Sequence, residues 1–364
     1  MKHLLPVIFF TSAALATSGC CIFGNSASCG ASSTAPGRFE QASIGYLGGK
    51  PLPTGYASPD GMTVGADKMV YVSINQVSKN WANPAKIARF CPVTEKIEDF
   101  IELPKNPASG KTSPLGIAFG PDGNLYVADN QTFVEGAKAG TSGLIRVNVK
   151  DGKATGADFV ATGFNMSNGM AIRDGFLYVA ETDLGARDKF LSGVYRFSLK
   201  ELAAGTPVKV TGIGDPHLIL VFETKGANKV GANGVDFDSK GVLHVNNFGD
   251  SKVHKFTFDS AGNAIPAGIV AIEGAKSADG LHIDAEDNLW VADFIGNAVF
   301  AVSPEGKATR VASSPIPNDG KDGALDTPSE CIRVGNKVFV SNIDLNFAPH
   351  KADEIQAISV ITLK

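Results

Sequence analysis

SADGLHIDAEDNLWVADF, residues 277–294, is the stretch whose reading decides the fold. It opens on Asp279-Gly280, turns tightly at Glu286-Asp287-Asn288 and continues as a second apolar strand, Leu289-Trp290-Val291-Ala292. The same pattern returns as PDGMTVGADKMVYVS (59–73), PLGIAFGPDGNLYVAD (114–129), SNGMAIRDGFLYVAE (167–181), ANGVDFDSKGVLHVNN (232–247) and PSECIRVGNKVFVSN (328–342). The six copies place one shared register position at residues 60, 115, 168, 233, 279 and 329, at intervals of 46 to 65 residues. A recurring unit of this length that encodes a small antiparallel sheet marks a β-propeller, since each sheet buries its faces only against its neighbours. The expected fold is all-β: one six-bladed β-propeller of four-stranded antiparallel blades over residues 38–364.

Composition agrees. Among 364 residues, 41 Gly and 19 Pro supply turns, and a 43% hydrophobic fraction supplies a large core. The formal net charge of −4 leaves no basic surplus, which argues against a nucleic-acid partner. Both ends of the propeller are readable. The last copy and the segment 356–363 make three strands where a blade wants four, and residues 39–47 (FEQASIGYL) have strand character. That segment is expected to complete the last blade, which would hide an open sheet edge and pin the termini together.

Ahead of the propeller lies an address. Lys2 and His3 precede an apolar run over residues 4–16, too short to span a membrane. Residues 1–19 therefore read as an export signal and residues 20–37 as a flexible tether rich in Ser, Ala and Gly. Thr17-Ser18-Gly19-Cys20 fits a lipoprotein box that leaves Cys20 lipidated, in a periplasmic or cell-surface protein; Ala14-Leu15-Ala16 fits cleavage to a secreted soluble one. Cys91 and Cys331 fall in the first and last copies, neighbours in a closed ring. They read either as a disulfide or as two buried thiols.

In a propeller the innermost strand of each blade starts at the top of the central channel. The residue before the recurring Gly then points at the axis. Those positions hold Asp60, Leu115, Asn168, Asn233, Asp279 and Ser329. Asp-Gly and Asn-Gly are each ordinary turn dipeptides; their common register is what marks them. Two carboxylates and two amides from different blades make a hard-oxygen set that suits Ca²⁺, or another divalent cation, better than Zn²⁺. No HxH, CxxC or HExxH pattern offers a transition-metal site.

With SNGMAI (167–172) and ADGLHIDAEDNLWVAD (278–293), the chain resembles the senescence-marker-protein/gluconolactonase (regucalcin-like) family of six-bladed propellers, the repeat pattern running over residues 39–364. The resemblance implies one divalent cation, usually Ca²⁺, held by an acidic residue of the first blade, asparagines of the third and fourth and an aspartate of the fifth. Those ligands fall on Asp60, Asn168, Asn233 and Asp279. The family's usual first-blade Glu in a Glu-Gly-Pro setting is here Asp60 in Pro-Asp-Gly-Met, with a shorter arm. The resemblance further implies hydrolysis of a small-molecule lactone or related ester, with Asp279 as the base.

His282 is the rival base because its ordinary pKa lies near neutrality, and Asp236 holds the matching place in blade four. Strand alternation can turn either off the axis. Asn165 and Glu330 flank the register. Loops 131–143, 182–193 and 343–354, with Phe133, Arg187, Lys189, Phe190, Phe347 and His350, are long enough to wall the site. The repeats, GPDGNLYVADN (120–130) above all, are also similar to NHL repeats, so the alternative function is a non-catalytic propeller that binds a ligand or partner protein on its top face. A strictosidine-synthase-like propeller would need a catalytic Glu, for which Glu330 is the candidate. No Ser-His-Asp order or cofactor fingerprint stands in a suitable context. The protein is expected to be a monomer, meeting a membrane only through its lipid anchor.

Overall fold

The computed structural model describes residues 39–186 and 188–364. Residues 1–38, which carry the expected signal and tether, and Arg187 lie outside that range. The described chain forms six sheets in sequence order, five of four strands and one of five. Their inner strands are Pro59–Val64, Pro114–Phe119, Ser167–Arg173, Ala232–Phe237, Leu281–Ile283 and Pro328–Val334, which number blades one to six. Blade two gains its fifth strand from Val208–Lys209, which pairs parallel with Lys153–Phe164.

Closure follows the sequence expectation. Gln41–Tyr46 pairs antiparallel with the C-terminal strand Ile358–Leu363 at the outer edge of blade six, with Ile44 opposite Ile361. Period-two alternation then explains why the second strand of each copy is buried along almost its whole length, with apolar residues feeding the cores on both faces. In Leu289–Asp293, Leu289 and Val291 enter the core shared with blade four, while Trp290 and Ala292 enter the core shared with blade six. Leu125–Asp129 divides likewise, Leu125 and Val127 toward blade one and Tyr126 and Ala128 toward blade three. Six such cores, one between each pair of neighbouring blades, hold the ring together.

The polar residues of each copy have structural work as well. An Asp at the first turn accepts from the buried ring of the following strand: Tyr71 Oη to Asp67 at 2.9 Å, Tyr126 Oη to Asp122 at 3.1 Å and Trp290 Nε1 to Asp284 at 2.8 Å. The residue ending that strand fastens the loop that enters the inner strand. Asp129 accepts the Ser113 N–H at 2.8 Å, Glu181 accepts those of Asn165 and Met166 at 3.0 and 2.6 Å, and Asp293 accepts that of Ser277 at 2.8 Å. In blades two, three and five buried backbone donors at the top of the ring are thus satisfied from within the copy. The Ser58 N–H of blade one is instead satisfied by Gln356 Oε1 of blade six, and the Thr327 N–H of blade six by Asn297 Oδ1 of blade five.

Cys331 is a free thiol buried in the core between blades five and six. Cys91 is disulfide-bonded. The two do not pair with each other, so the Cys91–Cys331 disulfide is excluded, and so is the reading of both as free thiols.

Candidate metal centre and active site

Five recurring glycines explain how the register residues reach the axis. A Cβ on Gly61, Gly116, Gly169, Gly234 or Gly280 would lie 2.3–2.6 Å from the backbone of the next blade's inner strand. Only a residue without a side chain lets the strands approach so closely. In blades one to four and in blade six the strand ladder also breaks beside the register residue, as between Ser167 and Met170 or Ala232 and Val235. That bulge turns the preceding side chain inward. These Asp-Gly and Asn-Gly pairs are therefore not hairpin turns; they are contact points between strands. Blade six has Glu330 in the glycine's place.

All six register residues, Asp60, Leu115, Asn168, Asn233, Asp279 and Ser329, line one cavity of about 80 Å³. The four oxygen-bearing residues singled out in the sequence are thus brought together, each 6–9% exposed. Ser329 lies within hydrogen-bonding reach of the Asp60 carboxylate, and Asn233 within reach of that of Asp279. Burial raises the Asp60 carboxyl to about 7. Burial, with the charges of Asp60 and Glu330, pushes Asp279 well above the carboxylate range. Among the described residues no Lys, Arg or His lines this cavity to balance the two acids. A hard-oxygen donor set with acids that repel each other and no basic partner fits a divalent cation.

The rest of the cavity wall is apolar: Phe133, Met166, Val230, Phe248, Phe294, Ile343, Leu345 and Phe347. Phe294 packs edge-on to Phe347 with centroids 5.5 Å apart, and Phe248 lies 5.8 Å from Phe294. Of the three loops expected to wall the site, 131–143 and 343–354 do so. Loop 182–193 instead lines a surface hollow, where Lys189 meets Glu223 at 3.5 Å. Sequence reasoning missed Phe248 and Phe294. Their signal is positional, since each directly follows the last residue of its second strand, as Ile343 does in blade six.

His282 is not in this cavity. Together with Asp236 and Glu330 it lines a separate space of about 330 Å³ formed by the continuation of the same inner strands. The physical reason is alternation, which carries side chains beyond the register residue into the lower half of the channel. His282 Nδ1 stands 3.6 Å from Asp236 Oδ2, outside hydrogen-bond range. Its pKa falls to about 4 through burial against the channel wall, so the ring is neutral near pH 7. Burial raises Asp236 to about 6 and places Glu330 well above its ordinary value. Asn165 faces neither space; its Nδ2 donates to the Asp183 carbonyl at 3.1 Å. His350 is buried, with Nε2 3.2 Å from the Ile295 carbonyl.

Residues 223–319 match the family described as SMP-30/Gluconolactonase/LRE-like region. The resemblance read from the sequence thus holds over blades four and five, the stretch that carries Asn233 and Asp279. No curated protein matches the sequence. Among solved structures, a luciferin-regenerating enzyme is similar at a TM-score of 0.54 and 14% identity, over 88% of this chain and 95% of that one. A PQQ-bound aldose sugar dehydrogenase from Streptomyces coelicolor matches at 0.54 and 18%, over 88% and 98%. A gluconolactonase from Xanthomonas campestris matches at 0.53 and 14%, over 88% and 92%. At such identities the likeness shows the shared propeller; the chemistry rests on the site itself.

Proposed function

We propose that this protein is a divalent-cation-dependent hydrolase, with Ca²⁺ the fitting ion, acting on an apolar lactone or related ester. The observation that carries this reading is the convergence of all six register positions on one axial cavity whose polar lining, among the described residues, is Asp60, Asn168, Asn233, Asp279 and Ser329. Asp60, Asn168, Asn233 and Asp279 would hold the ion. When bound, the cation supplies Lewis acidity toward a carbonyl oxygen and makes a water more acidic.

The chain's own residues do the rest. Asp279 takes the proton of the attacking water, and the Asn233 amide keeps its carboxylate oriented. The Ser329 hydroxyl positions Asp60, whose short arm the bulge of Pro59–Val64 carries to the axis. The aromatic wall excludes water, strengthens each polar contact beneath it and selects an apolar acyl or aryl portion. A volume of about 80 Å³ is below the roughly 300–1,000 Å³ of small-molecule sites, so Phe347 and its loop part to admit substrate.

The same small cavity favours the second reading, a non-catalytic platform that uses its top face for binding. One experiment separates them. The chelator-stripped protein is tested on a panel of aliphatic and aromatic lactones and esters, with and without added Ca²⁺. Turnover that returns with the ion and disappears in Asp279→Asn supports the hydrolase. A Ca²⁺-loaded protein inert across the panel supports the platform.

We propose in addition that residues 1–19 export the chain and that Cys20 carries a lipid. Palmitate labelling that persists in Cys20→Ser would overturn this. The protein is expected to elute as a monomer.

A further inference from the structure

We propose that Asp326, Asp344 and Asp353 form a second divalent-cation site, of the Ca²⁺ class, on the rim of blade six and distinct from the axial one. Asp326 lies just ahead of the inner strand Pro328–Val334, and the other two lie in loop 343–354. Each offers a carboxylate oxygen, and the three oxygens fall within 4.8 Å of one another. Three carboxylates held this close repel strongly unless a cation joins them.

Asp326 supplies the independent sign of a missing ligand. It is 2% exposed, and its Oδ2 is buried without a hydrogen-bond partner. Its backbone N–H is anchored to Asn342 Oδ1 at 2.9 Å, so the residue is held in place while the carboxylate is left unmatched. A buried, unpartnered carboxylate oxygen costs more than almost any other polar burial.

The other two members are oriented by bonds that leave lone pairs free. Asp344 Oδ1 accepts the Asp353 N–H at 3.0 Å, and its Oδ2 accepts from Gln356 Nε2. Asp353 Oδ1 accepts the Ile355 N–H at 2.7 Å. Each carboxylate has about four lone-pair positions, so capacity for a cation remains. The nearest base, Lys79, directs its Nζ to the Asp353 carbonyl and to Glu354, each at 2.7 Å, and to none of the three carboxylates. Burial and the neighbouring acids raise Asp326 to about 7 and Asp344 to about 6. An all-oxygen set with no imidazole or thiolate selects Ca²⁺ over transition metals.

The consequence is mechanical. Loop 343–354 contributes Ile343, Leu345 and Phe347 to the axial cavity. A cation at the rim would tie this loop to the entry of blade six and stiffen one wall of the axial site.

The test is calorimetric titration of the chelator-stripped full chain with Ca²⁺, using wild type, Asp353→Asn and Asp279→Asn. Asp353→Asn keeps the oxygen that caps Ile355 and so leaves the loop's own bonding intact. Two ions per chain are expected in wild type, with Asp353→Asn losing one and Asp279→Asn the other. Tryptic cleavage after the exposed Lys351 gives a second readout: Ca²⁺ slows it in wild type and Asp279→Asn but not in Asp353→Asn. The proposal is overturned if Asp353→Asn titrates like wild type or if Ca²⁺ leaves that cleavage rate unchanged. Failure of the axial reading looks different: Asp279→Asn would then bind as many ions as wild type.

Discussion

The upper and lower halves of the central channel are lined by the same six inner strands, yet they differ in size and chemistry. The upper half is a space of about 80 Å³ with oxygen donors at its floor and aromatic rings at its wall. The lower half, about 330 Å³, holds Asp236, His282 and Glu330. Glycine is the device that separates them. It occupies the position after the register residue in five blades and lets neighbouring inner strands approach closely beside the register side chains. Where blade six has Glu330 in that place, a carboxylate enters the lower space. Two acids and two amides can therefore be gathered at one end of a channel while Asp236, His282 and Glu330, a few residues further along the same strands, line a different space.

The sharpest way to break this contrast is to neutralise one acid in each half. Asp279→Asn should lower lactone turnover on the order of 10³-fold, about 4 kcal/mol of barrier, and abolish axial ion binding. If turnover survives, the upper half is not the reaction centre.

The lower end is fastened by Arg333 Nη1 on Asp284 Oδ2 at 2.8 Å, with side chains 8% and 5% exposed. Arg333→Met should cost about 3 kcal/mol in denaturant unfolding, since it leaves a buried carboxylate unpaired. Burial pushes the Asp284 carboxyl up, but hydrogen bonds from Trp290 and Arg333 prevail and hold it below its ordinary value. A lowered folded pKa adds stability above the unfolded value of about 3.9, and that increment is lost as pH falls through the folded pKa. The variant should therefore show a shallower acid limb between roughly pH 5 and 2. An unchanged acid limb would mean that Arg333 does not set this carboxyl.

Gly169→Ala attacks the separating device itself, because its Cβ would meet the Asn233 carbonyl oxygen at 2.4 Å. A loss of roughly 2 kcal/mol is expected. Gly45→Ala, with nothing within 4 Å, serves as the control and should be near neutral in the same melt.

Smaller effects sharpen the picture. Phe347→Ala removes one wall of the upper cavity and should raise kcat/KM for bulky esters by about tenfold while lowering it for small ones. His282→Asn should change kcat by less than about threefold, because the ring lies in the other space. A loss as large as that of Asp279→Asn would move the reaction centre into the lower half.

Much of the fold was legible along the chain. The recurring strand–turn–strand pattern, the missing fourth strand of blade six and the strand character of residues 39–47 all follow from periodicity and from the need to cover sheet edges. The six axial positions were legible too, because repeats in one register place equivalent residues at equivalent points around a ring. The apolar wall was not. Phe248 and Phe294 look like any hydrophobic residues beyond a strand end, and only the loop path shows them over the axis. The Cys91–Cys331 pairing failed because neighbouring blades do not imply thiols at bonding distance. The rim acids Asp326, Asp344 and Asp353 are separated by 18 and 9 residues in polar loops, with no spacing to betray them.

Taken alone, the sequence determined the repeat, its register and the residue types offered to the axis, because these depend on local periodicity, which survives in one dimension. Tertiary structure decided which oxygens share a cavity, which half of the channel His282 enters and what covers the site. Those outcomes depend on how strands and loops of different blades meet in space, which the recurring Gly permits but does not by itself specify.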